Sequence, residues 1–136
     1  MAVIFWLSSR TAEQSSEQSG ALLQWLLDNF GDNFFTDFIV RKLAHFLEFA
    51  GLCFLFNTAF LQTNKRKMPV ISVLCTSVYA ASDEFHQLFV EGRSCQLSDW
   101  AIDTAGAILS SAVFLIIAAA FSAVVKKKNT IDTGNN

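Results

Sequence analysis

Six consecutive residues, Ser82-Asp83-Glu84-Phe85-His86-Gln87, carry two carboxylates, an imidazole and an amide. These groups can exchange protons with a substrate or hold a polar headgroup. They lie in the apolar run that begins after Pro69, which reads as a membrane-spanning helix. An ionised group at the centre of such a helix costs about 2.5–3.5 kcal/mol on insertion scales, so it faces a protein interior or a wet cavity. A second set precedes it: Arg41, Lys42, His45 and Glu48. His45 and Glu48 are three apart and share a helical face, as do Asp83, His86 and Gln87. Asp99, Asp103 and Gly106 form a third stripe, and a glycine there lets a neighbouring backbone come close.

These types suggest roles. His45 or His86 supplies a general acid or base, with Glu48, Asp83 and Glu84 as the carboxylates beside it. Arg41, Gln87, Arg93, Asp99 and Asp103 are the candidates for holding a substrate, since a guanidinium fork matches phosphate oxygens. Two imidazoles and several carboxylates could also surround one ion. No H-E-x-x-H or comparable metal motif is present, so no metal ligand is assigned and the cofactor is unknown. Three readings remain open: an enzyme acting on a lipid-linked or headgroup substrate, a binder or transporter of an envelope ligand, and polar residues that only join helices. Interhelical hydrogen bonds in membranes average about 0.6 kcal/mol, a small return for so many ionisable groups. Against transport, no polar track continues toward the far side. Among single residues, Lys42 is expected to snorkel to headgroups, Trp100 to anchor at the interface, and Asp99 either to cap a helix or to hold substrate.

The elements that position these groups follow from hydropathy. The chain of 136 residues is 52% hydrophobic and 16% charged, against about 25% charged in a soluble domain. Together with a net charge of −2, this points to a lipid bilayer and excludes a nucleic-acid partner. The three cysteines show no metal spacing, and Cys53 and Cys75 read as small hydrophobes in apolar runs. Met1 to Ser8 covers about 12 Å of a core about 30 Å thick and reads as the outer end of a spanning helix whose earlier residues are missing. Ser8 to Gly20 reads as a solvated loop. Ala21 to Phe30 reads as an amphipathic helix, lying in the interface or packed on the bundle. Phe34 to Leu61 is the next span, and Pro69 opens the one after it from a first-turn position. Thr104 to Val125 is free of charge and is the clearest span, with Ser98 or Asp99 as its cap. The expected architecture is an all-α polytopic membrane helix bundle: three full spans plus a truncated first helix, with residues 1–128 as the transmembrane unit and 129–136 as a polar cytoplasmic tail.

Lys65-Arg66-Lys67 and Lys126-Lys127-Lys128 fall on one side, which the positive-inside rule assigns to the cytoplasm. The polar groups then lie toward the extracytoplasmic face. Counting from Gln62, Pro69 and Val125 as a common inner edge, Glu48 and Asp83 lie about 21 Å up, His45 and His86 about 25 Å, and Asp103 about 33 Å.

Arg41-Lys42-Leu43-Ala44-His45-Phe46-Leu47-Glu48-Phe49 resembles the R-K-x-x-H-F-x-E-Y stretch of the VanZ-like membrane proteins. Tyr79 to Gln87 resembles their Y-A-x-x-D-E-x-H-Q stretch, and Arg93 and the Ser98 to Gly106 stretch match in kind and spacing. Ile4 to Gly20 is similar to the loop after that family's first helix. Phe49 stands where tyrosine is usual, and Asp103 where asparagine is more often found. The resemblance implies a four-helix protein of the bacterial inner membrane, in a family named for raised resistance to the glycopeptide teicoplanin. It carries a phenotype and no defined reaction.

Overall fold

The computed structural model describes residues 9–10, 12–30, 36–93 and 95–134; the expected first span, Met1 to Ser8, lies outside them. The described residues form four helices and no strand: α1 Ala12–Phe30, α2 Asp37–Asn64, α3 Pro69–Gln87 and α4 Leu97–Gly134. The all-α architecture expected from hydropathy is the one observed.

α1 starts well before the expected Ala21, so most of the supposed Ser8–Gly20 loop is helical. Ala, Glu and Gln are good helix formers and need no apolar face when they extend a helix nucleated elsewhere. α1 rests on α2, with Leu23 and Leu27 half-buried and Leu22 and Trp25 exposed.

Thr36, in extended conformation, starts α2 by accepting the Ile39 N–H at 3.3 Å. Lys65 ends it in the left-handed conformation (φ 56°), a C-cap geometry more usual for glycine or asparagine. A short turn then delivers Pro69 to the first turn of α3, where its missing N–H breaks no helical bond. α4 begins at Leu97, earlier than a cap at Ser98 or Asp99 allows; the Gln96 carbonyl accepts from Asp99 and Trp100 N–H groups. α4 also runs past Lys126-Lys127-Lys128 to Gly134, so the tail continues the helix.

Burial is inverted relative to a soluble domain. The largest fully buried side chains are Phe49, Asn57, Thr76, Asp103, Cys53 and Ser72. Leu55, Val78, Ile116 and Phe121 are each about two-thirds exposed. In water such an exterior would drive association; in a bilayer the acyl chains cover it. α2 over Phe38–Asn64 and α4 over Leu97–Lys127 are long and apolar enough to cross a membrane. α3, expected as a full span, is not one of these two. Its buried stripe is polar (Ser72, Thr76, Asp83, Glu84 and Gln87, with Ala80), while Val70, Ile71, Leu74 and Val78 form the exposed face.

Small residues let the helices meet. A Cβ added at Gly106 would lie 2.4 Å from the Phe46 carbonyl oxygen, so α2 and α4 are in backbone contact there. Phe49, Leu52 and Ala80 form the apolar core, flanked by Phe56 and Tyr79, and the Phe49 and Tyr79 rings are 6.2 Å apart. Further along α2 toward its C-terminus, Asn57 Nδ2 donates to Ser111 Oγ (2.8 Å) and to the Cys53 carbonyl (3.0 Å). Ser111 Oγ in turn donates to the Pro69 carbonyl at 3.4 Å. Buried polar groups therefore do continue inward, contrary to expectation, but as neutral side chains. Ser72 and Thr76 donate to carbonyls of their own chain one turn back, which satisfies them without linking helices.

Candidate functional site

The N-terminal end of α2, the C-terminal end of α3, the connection that follows it and the first turn of α4 meet around one pocket of about 160 Å³. Its polar wall consists of Arg41, Lys42, His45, Gln87, Arg93, Gln96 and Asp99, with Phe38 and Gly92 completing it. Gly92 has φ 75°, a conformation that costs a residue with a Cβ far more. It turns the connection back so that Arg93 faces the helices.

Lys42 forms an ion pair with Asp99, and its ammonium lies 4.9 Å from the centre of the Phe38 ring. The expected snorkelling is replaced by a tie between α2 and α4. Asp99 therefore serves the pocket wall and this tie rather than the cap. Gln87 Nε2 donates to Asp83 Oδ2 at 3.1 Å, so Asp83 orients the amide that lines the pocket from behind. Glu84 Oε2 accepts the Gln96 N–H at 2.8 Å, a bond that satisfies an amide just ahead of α4. Its other oxygen is buried with no hydrogen-bond partner among the described residues, as are His45 Nδ1 and Arg93 Nε. Trp100 donates its indole N–H to the Ser77 carbonyl at 3.2 Å, so this ring pins α4 to α3 instead of only marking an interface.

Asp83 lies within electrostatic reach of His45, Glu48, Tyr79, Glu84, Arg93 and Asp103, which come from α2, α3, α4 and the connection. Arg93, outside the helices, has its pKa lowered first by burial and then by the like charge of Arg41. Asp83, Glu84 and Glu48 oppose that shift. Among the described residues, no group of three or more His, Cys, Asp or Glu side chains is arranged to hold a metal ion.

Of the ten residues singled out from sequence, Arg41, His45, Gln87, Arg93 and Asp99 line the pocket. Glu48, Asp83, Glu84, His86 and Asp103 are not in its wall. Asp103 is displaced most from expectation. It is fully buried, and neither carboxylate oxygen has a hydrogen-bond partner among the described residues. Its neighbour Thr104 meets Ser77 at 3.0 Å, which sets Asp103 deeper than Asp83 instead of at the outer boundary. The assumed common edge is at fault: Ser111, far from Val125, is the α4 residue level with Pro69. Sequence reasoning missed Gln96 and the Lys42–Asp99 pair, which carry no local signal. It also passed over Asn57, although a lone amide in an apolar run is itself a signal.

Two helices long and apolar enough to cross a membrane, exposing apolar faces and enclosing polar side chains, place the chain in the class of membrane helix proteins. The chain belongs to the VanZ/LLP1 family, whose family model matches residues 1–118. Searches of curated proteins and of solved structures match nothing.

Proposed function

We propose that the pocket holds the headgroup of a cell-envelope lipid or a lipid-linked wall precursor, at the extracytoplasmic side of the bacterial cytoplasmic membrane. The chain is multi-pass in this reading, with α3 crossing alongside α2 and α4. Binding there contributes to glycopeptide resistance, teicoplanin included. One observation carries the proposal: three cations, an imidazole, two amides and a carboxylate from separate segments line a single pocket in a protein whose long helices expose apolar faces. Arg41 and Arg93 take the anionic part of the headgroup. His45 stands in the wall as acid or base, and His86, Asp83, Glu48 and Glu84 set the charge around it.

The test is lipid mass spectrometry of membranes carrying the native chain, Asp83→Asn or His86→Ala. The native chain should change the pool of one lipid or precursor, and both variants should abolish that change. A ligand that copurifies with the native chain without any product makes the protein a binder. Identical lipid pools, no copurifying ligand and unchanged teicoplanin susceptibility overturn the proposal. For Glu84 and Asp99, the bonds to Gln96 and Lys42 favour a second reading, in which these two residues hold helices together.

A further inference from the structure

Beside the polar pocket lies a second, apolar depression of about 440 Å³ between α2 and α4. Phe38, Ile39, Leu43, Phe46 and Ile102 form most of its wall. Phe38, Lys42 and Gln96 line both cavities, so the two share a boundary. In the wall on the polar side of that boundary, Lys42 is paired with Asp99, and the guanidinium groups of Arg41 and Arg93 are the further charges that line the pocket. Arg41 and Arg93 act on each other as like charges in this half-buried wall, while Asp83, Glu84 and Glu48 behind it offset part of the effect on Arg93. A polar, anion-attracting cavity and a lipid-facing apolar groove joined at Lys42 match the two ends of one amphiphile.

We propose that the ligand is an anionic, phosphate-headed membrane lipid whose headgroup occupies the polar pocket while one acyl chain lies in the α2–α4 groove. This rests on the reading of the pocket as a headgroup site and adds the lipid class and the seat of its chain. The Lys42 stem and the Phe38 ring mark the level of the glycerol backbone. The groove opens sideways to the bilayer, so the lipid arrives from the membrane rather than from solution.

The full chain in phosphatidylcholine nanodiscs, with a trace of phosphatidylglycerol bearing a diazirine in one acyl chain, tests this. After illumination, adducts on Leu43, Phe46 and Ile102 should exceed those from diazirine-bearing phosphatidylcholine by about tenfold, the effect of roughly one charge-assisted hydrogen bond. Arg93→Gln should erase that preference. Leu43→Trp, at an exposed position outside the polar pocket, should fill the groove and remove adducts at Phe46 and Ile102. Adducts at Leu55 and Ile116, which face lipid elsewhere, should persist in both variants and report intact folding. Equal labelling from the two lipids, or adducts spread evenly over lipid-facing residues, overturns the inference. If even labelling occurs while Asp83→Asn still changes the lipid pool, the groove falls and the headgroup site stands. If the lipid pools are also identical, both fall.

Discussion

Two glycines on neighbouring helices show how far single residues differ. Gly106 faces the Phe46 carbonyl at a distance no Cβ tolerates, and the obstacle is backbone, which has little room to yield. Gly51 on α2 has nothing within 4 Å of the equivalent position. Gly106→Ala should therefore destabilise the detergent-solubilised protein by ~1–3 kcal/mol, the usual cost of overpacking. Gly51→Ala should be neutral or stabilise by about 0.5–1 kcal/mol through helix propensity. Thermal unfolding of the two variants checks both; equal melting temperatures would mean that α2 and α4 do not touch at Phe46. At the same scale Phe49, where tyrosine is usual in the resembling stretch, is fully buried against Tyr79.

At the level of elements, α4 is held at three heights. Lys42 ties its first turn to α2, Trp100 and Thr104 tie the next turns to α3, and Ser111 joins both neighbours further in. The uppermost tie is also the boundary between the two cavities. Lys42 and Asp99 are each about one-fifth exposed, so their attraction is less screened than that of a surface pair. A double-mutant cycle with Lys42→Ala and Asp99→Ala should give a coupling of about 1 kcal/mol, the upper end for exposed pairs. Additive effects would show that the two side chains act independently.

For the whole molecule, orientation decides which compartment the pocket serves. Cys95 is exposed in the connection that walls the pocket, whereas Cys53 is buried in the bundle. A thiol reagent that cannot cross membranes should label the native chain in intact cells and fail to label Cys95→Ser. Labelling that appears only after the cells are opened would turn the pocket to the cytoplasm and remove the outer-leaflet reading. The exterior of α2 and α4 supports insertion independently, since Leu55, Ile116 and Phe121 lie exposed while Asn57 and Asp103 are enclosed.

The sequence alone determined the helical class, the start of α3 at Pro69 and the family. Long uncharged runs, the Pro69 start and two dense motifs are local patterns, and local patterns survive without coordinates. It also marked Arg41, His45, Gln87 and Arg93 for the pocket they line, because polar groups amid apolar residues have few places to go. The depth of Asp103, the Lys42–Asp99 tie and the joining of a polar cavity to an apolar groove were decided only by tertiary structure. Each depends on how far one helix slides along another. That offset is set by contacts such as Gly106 on Phe46 and Ser111 on Pro69, between residues tens of positions apart, and no run of neighbouring residues encodes it.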